Sequence, residues 1–426
     1  MIFIGIFIFA FLMWRAVLPL KCRPALKAAA GAAAFIAAFK FKIIQIFGGH
    51  YFAPDLPREV ILLSAWVFVT VFIFMFLMVI GDTFLFGVTC GEALHTLLKT
   101  KKCDAKKLLR QHPLLNKVHA AELAAAAVVA VFGMVNGLAL PQVRHLTVTS
   151  PDLPPEADGK TVAVLTDLHV DNINDRKKME KIVQLTNELH PDIVCLLGDF
   201  SDGVKKRHLD ALEALTELRP KYGVYGVVGN HEYYSGYRIL TDHFAALGIP
   251  LLFNENRLIP RLKLRICGVT DSQAARFNET PSDPEKALAC PEKDSWKILL
   301  CHRPRGAREH AALGADLQLS GHTHGGMVIG FDRIVAALND GFVRGSYKVG
   351  DMHLEVSSGT CLWNGFPVRI GCRSEILLIT LKRPAAGTGP RISTPPSSSS
   401  SDSPEIIRGE QEADVLCRDL PSLLNA

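Results

Sequence analysis

Between Thr161 and His324 the chain carries, in order, Asp167-Leu-His169, Gly198-Asp199, Gly229-Asn230-His231-Glu232, His302 and Gly321-His322-Thr-His324. These elements hold carboxylates, imidazoles and one amide, and most of them follow a run of strand-like apolar residues. Two divalent cations held close together need this mixture. A carboxylate bridges both ions and balances charge, while neutral imidazoles and an amide oxygen fill the remaining positions. A single His beside a single Asp is ordinarily a satisfied core or surface pair, but that reading does not account for five spaced elements of one chemistry. A water shared by two such ions loses a proton near neutral pH and becomes a nucleophile. The same ions neutralise the non-bridging oxygens of a phosphate ester and align it for in-line attack. The leaving alkoxide is a strong base, so a nearby histidine, which titrates in the useful range, would assist its departure.

The pattern closely resembles that of the calcineurin-like metallophosphoesterases, over roughly residues 146 to 381. The resemblance implies that Asp167, His169 and His324 bind a first metal and that Asp199 bridges two ions. Asn230, His302 and His322 would complete the second site, and His231 would stand over the substrate and serve its leaving oxygen. Mn, Fe and Zn all suit such N/O ligands. Asp202, in Gly-Asp-Phe-Ser-Asp, is expected either to hold the His231 imidazole in its working orientation or to cap a helix over Val204 to Leu218. The protein Ser/Thr phosphatase branch has an Arg after the Asp of its second motif and another just before Gly-Asn-His. Here those positions read Asp202-Gly203 and Val228-Gly229. Ser320-Gly-His-Thr-His-Gly-Gly326 and Trp363…Pro367-Val-Arg369-Ile-Gly371…Glu375-Ile are instead similar to a membrane-linked bacterial branch that includes YkuE and YaeI. A phosphodiester or pyrophosphate substrate is therefore expected over a phosphoprotein.

Elements must position these residues, and the chain alternates accordingly. Buried strands are expected at Val162-Ala-Val-Leu165, Ile193 to Leu197 and Val224 to Val228, with helices from Asn174 or Asp175 to about His190, His208 to Leu218, and Gly236 to Leu247. Further strands are expected at Leu251-Phe253, Leu264-Val269, Ile298-Cys301, Leu317-Leu319, His353-Val356 and Ile376-Leu381. Most candidate ligands then fall just after a strand, where α/β folds gather their ligands. The expected architecture is α/β, two packed mixed sheets flanked by helices in an αββα sandwich, preceded by a helical transmembrane region.

At 426 residues, with a formal charge of +5, the chain has room for more than one unit. No Lys/Arg stripe with interleaved aromatics crosses the catalytic region, so nucleic acid is not an expected partner. The mean hydropathy of +0.20 comes mainly from the first third. Ile2 to Leu20, Ala25 to Phe47, Val60 to Val88 and Val118 to Leu140 are apolar runs about long enough to span a bilayer. Three or four spans are expected, the second depending on how Lys40 and Lys42 are accommodated. The first run lacks a basic n-region, so a cleaved signal peptide is not expected. Lys99, Lys101, Lys102, Lys106, Lys107, Arg110 and Lys117 crowd the loop before the fourth run. Such a loop is retained in the cytoplasm, which would place the catalytic domain on the far side, beyond a bacterial inner membrane.

Residues 1–140 thus read as the transmembrane region, 141–155 as a connector with a short strand at His145 to Thr149, 156–383 as the metallophosphoesterase domain and 384–426 as a disordered Pro/Ser-rich tail. Cys195 and Cys301 read as small buried apolar residues, and Cys361 and Cys372 as a pair that could join in an oxidising compartment. The expected activity is a membrane-anchored, two-metal phosphoesterase acting on a lipid or lipid-linked phosphodiester or pyrophosphate. A UDP-2,3-diacylglucosamine pyrophosphatase-type enzyme of lipid A synthesis is the alternative. A non-catalytic membrane scaffold is the third reading, disfavoured because every ligand position is intact.

Overall fold

A computed structural model describes residues 2–20, 22–100, 114–290, 295–384 and 405–406. Most of the basic loop at 101–113, and the tail from 385 apart from 405–406, lie outside the described residues. The chain forms two compact units: residues Met1–Ala139 with Asp171–Ile173 and Trp363–Ile370, and the remainder.

The larger unit is built from β1 (Gln142–Thr149), β2 (Thr161–Leu165), β3 (Ile193–Leu196), β4 (Val224–Gly226), β5 (Glu255–Ile259), β6 (Leu264–Gly268), β7 (Trp296–Leu300), β8 (Leu317–Ser320), β9 (Gly345–Val349), β10 (Met352–Val356), β11 (Glu375–Lys382) and the short β12 (Glu405–Ile406). One sheet runs β1-β11-β2-β3-β4 and the other β12-β9-β10-β8-β7-β6-β5. β2, β3 and β4 are mutually parallel, as are β6, β7, β8 and β10, so each sheet sends several C-terminal strand ends the same way.

Side chains alternate across a strand, and here both faces are apolar. Val162, Val164, Ile193 and Cys195 from the first sheet pack with Leu264, Ile266, Ile298 and Leu317 from the second, forming the inter-sheet core. Ala163, Leu165, Val194 and Leu196 face outward onto Met179, Ile182, Leu240 and Phe244 of covering helices. Cys267, Leu299 and Val356 do the same on the second sheet, against Ala287, Leu288 and Ala307. The result is the four-layer αββα sandwich. Asp175 caps the helix Arg176–Glu188 by accepting the Lys178 N–H, one of the two caps expected there.

Several local expectations differ. The short strand expected at His145 to Thr149 in the connector starts three residues earlier, as β1, and pairs in parallel with β11 along its whole length. The expected helix at residues 208–218 runs Lys206–Leu212 and then tightens into a 3-10 turn over Glu213–Glu217. Its first residue follows Lys205, so Asp202 does not cap it. Residues 251–253 form only an isolated bridge from Leu251 to Gly226, while β5 and β9 carry too little apolar alternation to be read in advance. Cys361 and Cys372 carry thiols rather than a shared disulfide, and Cys195 and Cys301 are buried.

The first unit is helical: α1 (Ile2–Leu12), α2 (Pro24–Ala38), α3 (Lys40–Gly48), α4 (Arg58–Thr100) and α5 (Leu115–Leu138). Helices at Arg58–Lys99 and Leu115–Leu138 are long and apolar enough to cross a membrane, and the 24 residues of α5 rise about 36 Å. The first run gives a helical stretch of only Ile2–Val17, short for a span. The second run breaks at Phe39, where α2 and α3 bend by 71°. Lys40, which opens α3, is buried; its ammonium donates to the Gly365 carbonyl at 3.2 Å and lies over the rings of Phe41 and Phe68. Asp82 in α4 is matched by Arg15 at 2.9 Å and His119 at 3.1 Å, so this acidic group in an apolar helix is not left alone.

Candidate metal centre

The loops that leave the parallel strands bring the chemistry together. Asp167 lies two residues past β2, Asp199 three past β3, Asn230 four past β4, His302 two past β7 and His322 two past β8. Asn230 and His231 open the short helix Asn230–Ser235. Five of these residues, Asp167, His169, Asp199, His322 and His324, hold left-handed backbone with φ between 45° and 69°. Non-glycine residues take that conformation at an energetic cost, which surrounding structure must meet. The glycines before Asp199 and Asn230 have a separate reason. A Cβ on Gly198 would strike the Gly229 backbone, and one on Gly229 would strike Asp199, so only glycine lets these two loops approach.

The resulting geometry groups the residues in three overlapping sets. Asp167, His169 and His324 form one cluster whose ligand atoms lie within 4.8 Å of one another, Asp199, His302 and His322 form another, and His169, Asp199 and His231 form a third that links them. His169 Nε2 faces His324 Nε2 at 3.2 Å, and His324 Nε2 lies 3.6 Å from Asp167 Oδ1. Asp199 Oδ2 is 3.8 Å from His169 Nε2 and 3.2 Å from His302 Nε2, so one oxygen addresses the first two sets. Asn230 Oδ1 is buried and has no hydrogen-bond partner among the described residues. An orphaned buried acceptor is costly, and a cation would satisfy it. The donor set therefore fits divalent metal.

A second ring of contacts fixes the orientation of these groups. His302 Nδ1 donates to the Leu197 carbonyl at 2.6 Å, which directs Nε2 toward Asp199. Asp202 Oδ1 receives His231 Nδ1 at 2.6 Å, as expected, and also His169 Nδ1 at 3.0 Å, which was not foreseen. Burial would raise the Asp202 pKa, but the charges of His169 and His231 and their hydrogen bonds outweigh it and hold it at about 2. Burial likewise opposes a charged His322, reinforced by Arg303 and His302, and its pKa falls well below the usual range.

Two residues were missed in the sequence. Glu232, quoted only as part of Gly-Asn-His-Glu, is fully enclosed. Its carboxylate accepts the backbone N–H groups of Asp199 at 2.9 Å, Phe200 at 2.7 Å and Gly229 at 2.7 Å, lashing two ligand-bearing loops together. Its place in the motif was the available signal. Arg303 follows His302 directly. It donates from Nε to Asp271 at 2.8 Å and from Nη1 to His322 Nε2 at 2.9 Å, so a guanidinium stands at the site although neither expected arginine position holds one.

The charge state of the imidazoles sets a pH dependence. Burial disfavours a proton on His169 and His302, yet Asp202 beside the first and Asp199 beside the second reverse this, raising them to about 9 and about 10. Both are thus protonated at neutral pH, and an ion ligated by either must displace a proton. Affinity for a divalent cation should tighten by about tenfold per pH unit for each proton released. Calorimetric titration with Mn²⁺ at pH 6.5 and 8.5, in buffers of different ionisation enthalpy, should show this trend and a buffer-dependent heat. A pH-independent affinity would refute the protonation scheme.

Comparison with known proteins agrees with the geometry. Residues 160–326 match the family model described as calcineurin-like phosphoesterase. The chain is 32% identical over 311 residues to a transmembrane protein with metallophosphoesterase domain from Danio rerio, covering 70% of each. It is also 32% identical over 251 residues to an uncharacterised metallophosphoesterase of Helicobacter pylori, covering 58% of this chain and 66% of that one. Among solved structures, TT1561 of Thermus thermophilus is similar at 14% identity and a TM-score of 0.34, over 47% of this chain and 90% of its own. The chain belongs to the calcineurin-like metallophosphoesterase family of phosphoester hydrolases, which use a divalent metal centre.

Proposed function

We propose that the chain is a membrane-anchored phosphoesterase with two divalent ions, Mn, Fe or Zn, hydrolysing a phosphodiester or pyrophosphate bond of a lipid or lipid-linked substrate. The position of Asp199 Oδ2, within 4 Å of both His169 Nε2 and His302 Nε2, carries the two-ion reading. Asp167, His169 and His324 hold one ion, Asn230, His302 and His322 the other, and Asp199 belongs to both. Bound ions would supply Lewis acidity toward phosphate oxygens and an activated water.

His231 is the proton donor to the leaving oxygen. Its Nδ1 is tied to Asp202, which leaves Nε2 as the nitrogen to present to substrate. Asp202 acts through His231 and His169 as a positioning residue, holding both rings by one oxygen. Glu232 keeps the Asp199 and Asn230 loops in register.

The apolar helices support a substrate at the bilayer. The basic residues at positions 99–117 favour a cytoplasmic loop, which puts the catalytic unit on the opposite side. In a bacterial inner membrane that side is the periplasm, where lipid phosphates and exported phosphoesters are the available substrates.

Three outcomes test this reading. Asp199→Asn should strip or greatly weaken metal binding and abolish hydrolysis. Two ions per chain with near-normal turnover in that variant would sink the shared-carboxylate assignment. His231→Ala should keep its metals and fold, yet lose about 10²-fold in turnover on esters with poor leaving groups. The loss should shrink for p-nitrophenyl esters, whose leaving group needs little protonation, and an equal loss on both would argue for phosphate binding instead. For orientation, alkaline phosphatase fused after Arg383 should be active and green fluorescent protein dark. The reverse pattern would place the unit in the cytoplasm and favour a nucleotide-linked lipid precursor such as UDP-2,3-diacylglucosamine.

A further inference from the structure

Arg303 makes two contacts of different character. Its Nε is bonded to Asp271, a carboxylate whose side chain is only 1% exposed and whose Oδ1 also accepts the Gln273 N–H at 2.8 Å. That end is an anchor. Its Nη1 is bonded to His322 Nε2, while the Arg303 side chain as a whole keeps 21% of its surface open to solvent. That end lies beside the His322 ring, whose centroid is 5.2 Å from that of His302.

The contact with His322 has a strict chemical consequence. A guanidinium has no acceptor, so His322 Nε2 must be the nitrogen that accepts. A neutral imidazole has one in-plane lone pair, and its other ring nitrogen carries the proton. Ligation of a metal by His322 needs that same lone pair, whichever nitrogen faces the ion. If Nε2 is the ligand, Arg303 stands in the ion's place. If Nδ1 is the ligand, the proton must move to Nε2, where it opposes the Arg303 N–H. The hydrogen bond and metal ligation therefore exclude each other.

We propose that Arg303, pivoting on Asp271, is a two-position residue: it holds the His322 lone pair until a metal claims it, and then turns its guanidinium to a phosphate oxygen of the substrate. The inference rests on the phosphoesterase reading above and adds to it a residue that sets substrate affinity. A planar guanidinium pairs well with phosphate oxygens, and the anchored Nε confines it to a short arc, so little rotamer freedom is lost on binding. Arg303 would thereby supply the anion grip for which positions 203 and 228 carry no arginine. The buried Asp271 partly balances its charge, which moderates the grip on phosphate and lets product leave.

The test uses the full chain in detergent or nanodiscs, with Arg303→Gln and Arg303→Lys beside the native protein. Calorimetric titration with Mn²⁺ alone comes first. Arg303→Gln should bind the weaker of its two ions about 5- to 10-fold more tightly than the native chain, because no guanidinium competes for His322. Unchanged affinity would overturn the competition. Inhibition by inorganic phosphate is then measured on the metal-loaded proteins with bis-p-nitrophenyl phosphate as substrate. Arg303→Gln should weaken phosphate inhibition and raise KM by about tenfold or more with a smaller change in kcat, while Arg303→Lys, which keeps the charge, should recover part of the loss. Unchanged inhibition and KM in Arg303→Gln would overturn the grip. Should Arg303→Gln fail to fold by circular dichroism, Arg303→Lys and Asp271→Asn carry both measurements, and native values in both variants would again refute the proposal. If the native chain itself hydrolyses no phosphoester with any metal, the phosphoesterase reading fails instead, and the Mn²⁺ titration still judges the competition separately.

Discussion

Four carboxylates, those of Asp167, Asp199, Asp202 and Glu232, are buried within one small volume, and everything around them answers to that fact. Removing an ion from water costs several kcal/mol even after relaxation, and like charges in a poorly screened interior repel. Each carboxylate is compensated in its own way. Asp202 takes two imidazoles on one oxygen. Glu232 takes four backbone N–H groups. Asp167 takes the Thr166 hydroxyl and the His322 N–H. Asp199 receives the His231 N–H and faces His302. The compensation separates roles: groups already satisfied by protein donors orient their neighbours, while those facing imidazole nitrogens across 3.2 to 3.9 Å suit a shared cation.

The sandwich is the means of holding such a site together. Strands that are apolar on both faces cannot lie at a surface, so each sheet is covered twice, by the other sheet and by helices. Rigid layers leave the polar work to loops at the strand ends. Those loops turn sharply, through glycine at 198 and through left-handed backbone at five of the candidate residues. Core packing meets the cost of that backbone, and Glu232 adds a local tie where two loops meet. The helical unit follows the same logic in an apolar setting, where Asp82 is matched by Arg15 and His119, and buried Lys40 by a carbonyl and two aromatic rings.

The sequence by itself determined the fold class, the family and the residues that gather at the site. Those rest on local patterns: runs such as Val162 to Leu165 and Ile193 to Leu196 that read as doubly covered strands, and short motifs that fall just behind them. It also determined that Arg58–Lys99 and Leu115–Leu138 are apolar enough to span a membrane, since that depends on composition over a single helix. Only the tertiary structure decided which pairs meet. Asp202 is 29 residues from His231 and 33 from His169, and nothing in the spacing says that one oxygen serves both. The Glu232 ties reach back across about as much chain, and the Arg303 contact to His322 crosses from β7 to β8. The burial of Lys40 likewise sets its ammonium on a carbonyl 325 residues away. Periodicity and motif are properties of neighbouring residues along the chain. Compensation of buried charge is a property of neighbours in space, and the fold alone chooses those.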